Sequence, residues 1–323
     1  MTQKDDPKPI ESNALVKRTS KGLMTNKGRR SQISLTSDII KAAAIARTSS
    51  QALVDESWMQ EIWAWADKYK IPENIIPRDS TALLALESLS IFDYHLTPLP
   101  ERIGNFVNLK SPTVKDKELI SLPEGIGNLI NLTSLHINFF NKLNSLPESL
   151  GNLSNLKSLD VSFNKLTLLP ESIGNLINLT SLEVRTNKLD SLPESISNLI
   201  NLKSLDVVNN EFTSLPESIG NLNNLMSLEV SNNEFTSLPE SIGNLNNLTS
   251  LNVSRNKLTS LPESIGNLDN LMSLNVSFNK LNSLPESTSN LVNLRYLNIS
   301  RNEFTSLPEN IDQTKVKTIW LGA

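Results

Sequence analysis

Four carboxylates that recur at a constant spacing are the side chains best placed to do chemistry. Asp160, Glu183, Asp206 and Glu229 follow one another at intervals of 23 residues, and each comes directly after a leucine. Equal spacing predicts equivalent positions in stacked units, where like charges in register repel one another. Two interpretations stay open: the carboxylates are solvated and merely tolerated, or they form an acidic stripe for a basic partner.

The sequence lacks the residue sets that catalysis requires. It contains no cysteine, which excludes disulfides, thiolate zinc sites and thiol nucleophiles. Its two histidines, His95 and His136, belong to different repeated units, and the recurrent Ile-Gly-Asn-Leu is a repeat element whose glycine we expect to serve a turn. We therefore predict no enzymatic activity, no cofactor and no bound metal.

The carboxylates lie within an internal repeat that fills most of the chain. One unit reads LKSLDVSFNKLTLLPESIGNLIN, residues 156–178, and successive units are offset by 23 residues, with one step of 24. A partial unit starts at Val316. The ten units before it begin at Leu86, Leu109, Leu132, Leu156, Leu179, Leu202, Leu225, Leu248, Leu271 and Leu294.

The apolar positions of a unit predict a short strand, a turn and a short helical segment. Leu156, Leu159 and Val161 are spaced as one strand whose side chains point inward. Asn164 follows the strand, where stacked asparagines would hydrogen-bond the backbones of adjacent units. Pro170 fits the first turn of the helical segment, where its missing N–H costs nothing. One unit cannot bury its apolar face alone, so the units must stack, with a parallel sheet of about 45–50 Å.

The pattern LxxLxVxxNxLxxLPxxIxxLxxL resembles the 23-residue class of leucine-rich repeats, as in intracellular Ras-group-like proteins and bacterial leucine-rich-repeat proteins and effectors. The resemblance covers residues 86–323. It implies an α/β solenoid: a horseshoe with a parallel β-sheet on the concave face and short helical or 3-10 segments on the convex side. It also implies that a protein partner docks on the concave face.

Three early units depart from this pattern. In the second unit Pro112 takes the fourth position and Lys117 takes the asparagine position, so we expect strand and ladder to be disturbed there. The third unit holds one extra residue within 136–141, which predicts a bulge that pushes an aromatic side chain outward, and we assign Phe139 to the surface. The first unit has Tyr94 in place of asparagine.

The region before the repeats divides into two parts. Residues 1–36 carry eight basic and three acidic residues, a net charge of +5, so the remaining 287 residues carry −9. We expect this segment to be disordered. Residues 37–85 are predicted to form a helical cap, with one helix from Ser37 and a stronger one whose buried stripe is Trp58, Ile62, Trp65, Ala66 and Tyr69. The alternative is a separate helix that binds a partner.

The residues expected to face a partner form one column and its neighbours. The residue after the fourth-position leucine points out of the sheet, and that column runs from Ser90 through the four carboxylates to Trp320. Exposed aromatic and arginine side chains beside it are the types that contribute most to interfaces. The predicted partner-binding residues are His136, Phe139, Asp160, Phe163, Glu183, Arg185, Asp206, Glu229, Arg255, Phe278, Tyr296, Arg301 and Trp320.

These observations predict a non-enzymatic protein-binding module. One interpretation is a bacterial effector that acts on a host protein, since the first 36 residues are basic and rich in serine and threonine. The alternative is a resident cytosolic scaffold that binds a signalling protein such as a small GTPase. The acidic body argues against nucleic acid as the partner.

The location of the chain and its self-association are further expectations. No apolar run approaches a membrane span, and no apolar signal segment follows the first basic residues. We therefore expect a cytoplasmic protein, or one exported into a host cell without a cleavable signal peptide. The unpaired edge of the last strand, with Trp320 beside it, predicts self-association through the C-terminal edge.

Overall fold

The computed structural model describes residues 56–138, 140–306, 309, 311 and 316–321. The predictions for the basic segment 1–36, for the helix from Ser37 and for the side chain of Phe139 lie outside the described residues.

A single parallel sheet runs the length of the repeats. Among the described residues it has eleven strands, which lie in sequence order, each hydrogen-bonded to the next. This arrangement confirms the predicted solenoid with a parallel sheet. The strands are β1 Ser88–Phe92, β2 Ser111–Lys115, β3 Ser134–His136, β4 Ser158–Asp160, β5 Ser181–Glu183, β6 Ser204–Asp206, β7 Ser227–Glu229, β8 Ser250–Asn252, β9 Ser273–Asn275, β10 Tyr296–Asn298 and β11 Thr318–Trp320.

The core is a continuous column of leucines and β-branched residues inside the coil. Leu156, Leu159 and Val161 are completely buried, as are their counterparts in the following units through the one at Leu294. Full burial of such a side chain contributes about 1.5–3 kcal/mol. Phe212 and Phe235 replace leucine in two adjacent units, and their rings stack at 6.2 Å inside the core.

The predicted asparagine ladder is confirmed. The Asn164 side-chain amide donates to the carbonyls of Ile137 and Val161 at 2.8 and 2.9 Å, and its Oδ1 accepts the N–H of Leu143 at 3.2 Å. The same bonds recur from unit to unit as far as Asn302. They satisfy buried backbone groups that the three-residue strands leave unpaired.

Short 3-10 helices on the opposite side link the strands. Proline directly precedes each of them, and the following glutamate often accepts an N–H from the next unit, as Glu124 does from Ser149 at 3.2 Å. In the part of the chain that the structure describes, these segments are Glu101–Asn105, Glu124–Asn128, Glu148–Asn152, Glu171–Asn175, Glu194–Asn198, Glu217–Asn221, Glu240–Asn244, Glu263–Asn267 and Glu286–Asn290.

The recurring glycine serves close packing rather than a turn, which corrects the sequence expectation. None of the described glycines has a positive φ. A Cβ added at Gly174 would lie 2.5 Å from the carbonyl oxygen of Ser195 in the next unit, closer than atoms can approach. Glycine therefore allows successive 3-10 helices to touch.

The second unit is disturbed in both strand and ladder, as predicted, but the ladder residue differs from the one expected. Strand β2 includes Pro112, but its pairing with β3 is reduced to Thr113 opposite His136. Lys117 was wrongly assigned to the ladder. Asp116 occupies that position: it is completely buried, and its N–H donates to Oδ1 of Asn141 at 3.0 Å. From the buried valine to the ladder residue there are two steps in this unit, Val114 to Asp116, and three in a regular unit, Val161 to Asn164. The ladder position therefore moves back by one residue.

Within residues 56–87, which the structure describes, two helices precede the first strand: α1 Ser57–Lys68 and α2 Ser80–Leu84. Helix α1 packs against the first repeat, as the cap interpretation predicts. The ring of buried Trp58 meets Phe106 edge-on at 6.0 Å, and the Trp65 indole donates to the Pro98 carbonyl at 3.2 Å. Among the described residues no helix has the length and apolar character needed to cross a membrane.

Candidate binding surface on the concave face

The four carboxylates form one column across the middle of the sheet. Strand pairing sets Asp160 opposite Glu183, Glu183 opposite Asp206, and Asp206 opposite Glu229. His136 precedes them and Asn252 follows them in the same register. Each residue comes directly after a buried leucine of its strand, so the column lies on the sheet face turned away from the core.

Two of the carboxylates also stabilise the turn after their strand. Oδ1 of Asp160 accepts the N–H of Ser162 at 2.9 Å, and Oδ1 of Asp206 accepts the N–H of Val208 at 3.1 Å. Asn252, Asn275 and Asn298 make the same bond two residues on. The short Asp or Asn side chain thus has a local structural role at this position. We find no such bond for the longer glutamates of the column in the described chain.

Arg185 partly neutralises the column from the neighbouring row. Its Nη2 lies 2.7 Å from Oδ2 of Asp206 and 3.3 Å from Oε2 of Glu183. The predicted surface arginine therefore bridges two units within the chain, and Asp160 and Glu229 at the two flanks form no ion pair in the part that the structure describes.

Burial raises the pKa of three of these carboxyls. Desolvation is the main cause at Glu183, and the neighbouring Asp160 charge adds to it against the opposing effect of Arg185. Desolvation also raises the pKa of Asp206, although the Val208 N–H and Arg185 oppose it. At Glu229 desolvation outweighs a hydrogen bond with Asn252. The concave surface therefore holds negative charge at an energetic cost.

A second column flanks the first and has an unusual backbone. Its members have φ between 54° and 66°, a region that most side chains avoid. Backbone hydrogen bonds from one unit to the next hold them, such as Phe163 N–H to the Arg185 carbonyl at 2.9 Å. The column consists of Phe140, Phe163, Thr186, Asn209, Asn232, Arg255, Phe278 and Arg301.

Four predicted partner-binding residues belong to this second column: Phe163, Arg255, Phe278 and Arg301. It also contains one exposed aromatic residue that was not predicted, Phe140. Phe140 is the outward aromatic of the third unit that the structure describes; its ring lies 5.2 Å from that of Phe163. The strands of the third and fourth units are 24 residues apart, but their ladder residues Asn141 and Asn164 are 23 apart, so Phe140 is the counterpart of Phe163. At the other end Phe278 contacts Arg255 and Arg301.

Between these ends three polar residues form their own ladder. The Asn209 amide donates to Oγ1 of Thr186 at 3.2 Å, and the Asn232 amide donates to Oδ1 of Asn209. Asparagine tolerates the left-handed region, which explains its use here. This ladder was not predicted from the sequence, because none of these side chains is aromatic or charged.

Two predicted residues lie apart from the acidic column, toward the C-terminal end. Tyr296 belongs to the row that begins each strand, between Ser273 and Thr318. Trp320 is in register with Asn298, and both aromatic side chains are about half exposed. Strand β11 pairs with β10 alone among the described strands, and self-association through its other edge stays a prediction.

The described residues contain no group of three or more His, Asp or Glu side chains arranged to hold a metal ion. The chemistry that the surface offers is the recognition of charge and of aromatic groups.

Comparison with known proteins assigns this architecture to a class. Family models match residues 169–236 as "Leucine-rich repeat region", residues 246–304 as "Leucine rich repeat" and residues 155–176 as "Leucine Rich Repeat". The chain belongs to the leucine-rich-repeat family, whose members are typically non-catalytic modules for protein interaction. The search of curated proteins finds no significant match.

Solved structures support the assignment. A leucine-rich-repeat protein of Leptospira interrogans is 32% identical, with a TM-score of 0.54 over 76% of this chain and 75% of its own. The Arabidopsis receptor kinase HAESA, in complex with the peptide hormone IDA and the co-receptor SERK1, is 29% identical, with a TM-score of 0.61 over 85% of this chain and 48% of its own. An internalin from Listeria monocytogenes, 22% identical over 73% and 74% of the two chains, shares the fold with a TM-score of 0.58.

Proposed function

We propose that this protein binds a basic segment of a protein partner on its concave face. The observation that carries the proposal is the column Asp160, Glu183, Asp206 and Glu229, in register on adjacent strands. Four carboxylates at about 4.8 Å intervals repel one another, and desolvation opposes ionisation at three of them. A partner that supplies lysine or arginine offsets the repulsion, and its positive charge favours the ionised carboxylates.

Two further observations support an extended, peptide-like ligand. The aromatic and arginine residues of the second column lie beside the carboxylates, which gives the surface both charge and contact area. HAESA, a structural relative, is in complex with a peptide hormone. We propose that the ligand of this chain is likewise an extended, peptide-like segment.

The setting in which the module acts has two candidates. A bacterial effector acting on a host protein is favoured by the basic composition of residues 1–36. A resident scaffold that binds a signalling protein such as a small GTPase is the alternative. A translocation reporter fused to the full chain and to a chain without residues 1–36 separates them, because only an effector needs that segment for transfer.

The test of the proposal uses variants of the full chain as bait. The lysates come from host cells and from the organism that produces the protein. One variant neutralises the column: Asp160→Asn, Glu183→Gln, Asp206→Asn and Glu229→Gln. Its matched control removes four exposed carboxylates elsewhere: Glu171→Gln, Asp190→Asn, Glu194→Gln and Glu211→Gln. We expect a partner captured by the native chain and by the control to be lost from the column variant. Equal capture by all three would refute the role of the column.

A further inference from the structure

The cation–aromatic stack at the C-terminal end of the second column is held in place by neighbouring units. The guanidinium of Arg255 lies 4.3 Å from the centre of the Phe278 ring, and that of Arg301 lies 6.0 Å from it. The backbones below are fixed as well: Arg255 N–H donates to the Ser277 carbonyl at 2.9 Å and Phe278 N–H to the Ser300 carbonyl at 3.0 Å. Two positive groups therefore stand on either side of one half-exposed ring.

These two guanidiniums are not used within the part of the chain that the structure describes. Neither Arg255 nor Arg301 forms an ion pair or a side-chain hydrogen bond there, whereas Arg185 is 2.7 Å from Asp206. The first column also changes character beside them, from carboxylates to Asn252, Asn275 and Asn298. The concave face is thus negative over its middle units and positive over the units at 248, 271 and 294.

We propose that Arg255, Phe278 and Arg301 form an anion-binding subsite for Asp or Glu side chains of the same partner that presents basic residues to the acidic column. This inference rests on the proposed function, and it adds an acidic group to the basic segment that the partner presents. A guanidinium binds a carboxylate through two parallel N–H donors, and contact with an aromatic ring limits the rotamer freedom lost on binding. The partner is therefore an extended segment with opposite charges at its two ends.

The geometry sets the spacing between those charges. From the middle of the column, between Glu183 and Asp206, to Phe278 there are about three and a half strand steps of about 4.8 Å, or roughly 17 Å. An extended peptide advances about 3.3 Å per residue, so the basic and acidic residues of the partner are about five residues apart.

The test uses three fluorescein-labelled synthetic peptides of equal length with amidated C-termini. One carries only a Lys-Arg pair, one adds an interior Glu-Glu pair about five residues from it, and one sets the two pairs side by side. Binding to the full chain is measured by anisotropy, with the native protein, Arg255→Gln/Arg301→Gln and the exposed-lysine control Lys188→Gln/Lys280→Gln. Circular dichroism verifies that the variants are folded.

We expect the widely spaced bipolar peptide to bind the native chain and the lysine control about tenfold more tightly than the basic peptide. The gain should vanish in the arginine variant, while the basic peptide binds all three proteins alike. Equal affinity of the three peptides for the native chain, or a gain that survives in the arginine variant, overturns the subsite and leaves the acidic column supported. No binding of the basic peptide contradicts the proposed function itself, and the subsite with it.

Discussion

The Arg185 guanidinium lies 2.7 Å from the Asp206 carboxylate of the next repeat, at the centre of the concave face. This contact neutralises one carboxylate of the column and, more weakly, a second at Glu183. Asp160 and Glu229 form no ion pair in the part of the chain that the structure describes, although the Asn138 amide donates to Oδ2 of Asp160. The surface consequently combines a fixed internal ion pair with carboxylates that a partner can neutralise.

The raised pKa of Glu229 predicts how stability changes with pH. A carboxyl whose pKa is higher in the folded than in the unfolded state favours folding below its unfolded pKa, and this contribution is lost as pH rises through the folded pKa. We expect Glu229→Gln, which retains an amide oxygen for Asn252, to raise the free energy of unfolding at pH 7 by about 0.5–1 kcal/mol.

Urea denaturation at pH 7 and below pH 4 (roughly the ordinary pKa of a glutamate side chain) checks this expectation. The difference between the two proteins should shrink as pH falls, because both then carry a neutral side chain. Glu211→Gln, a change at an exposed glutamate outside the column, is the control. A Glu229→Gln protein less stable than the native chain at pH 7 would show that this carboxylate is stabilising.

The contact between Trp58 and Phe106 predicts a large cost when the cap is truncated. Trp58 is 6% exposed, so Trp58→Ala should lower the free energy of unfolding by about 3–5 kcal/mol. Trp320 is 50% exposed, and Trp320→Ala removes the same side chain at little cost. Equal denaturant midpoints for the two variants would mean that α1 does not stabilise the array.

Asp116 predicts a substitution that stabilises the second unit. Its Oδ2 is buried without a hydrogen-bond partner, whereas the asparagine amides of other units donate to the carbonyl three residues earlier. Asp116→Asn should therefore raise the free energy of unfolding by about 1–2 kcal/mol. The matched reverse change, Asn164→Asp, should lower it by a similar amount. Thermal or urea denaturation that ranks the two variants in the opposite order contradicts this account of the ladder.

The regular part of the molecule was predictable from sequence because each repeat position has one physical role. The spacing of Leu156, Leu159 and Val161 and the position of Asn164 sufficed to predict strand, core and ladder. The order of the acidic column followed from the same period, because parallel strands in register keep equivalent residues adjacent.

The remainder depended on features that a period does not encode. A turn one residue shorter than in the regular units put Asp116 rather than Lys117 into the ladder. The repeat period alone does not distinguish two adjacent polar residues, because the backbone geometry of the turn determines which of them is buried. The left-handed backbone of the second column determines which side chains stand beside the carboxylates, and it made Phe140 an exposed aromatic of that column. The hydrogen bond from the Ser162 N–H to Asp160 likewise depends on the turn that follows the strand. An aspartate at this position allows such a bond but does not require it.

The most direct test of the central claim is the association rate of the captured partner at increasing salt concentration. For the native chain and for the variant that replaces the four surface carboxylates elsewhere, the rate should fall steeply with salt, because the acidic column attracts the partner over distances that salt screens. For Asp160→Asn/Glu183→Gln/Asp206→Asn/Glu229→Gln the rate at low salt should be about tenfold lower and nearly independent of salt. Identical rates and identical salt dependence in all three proteins would contradict the assignment of the concave column as the binding surface.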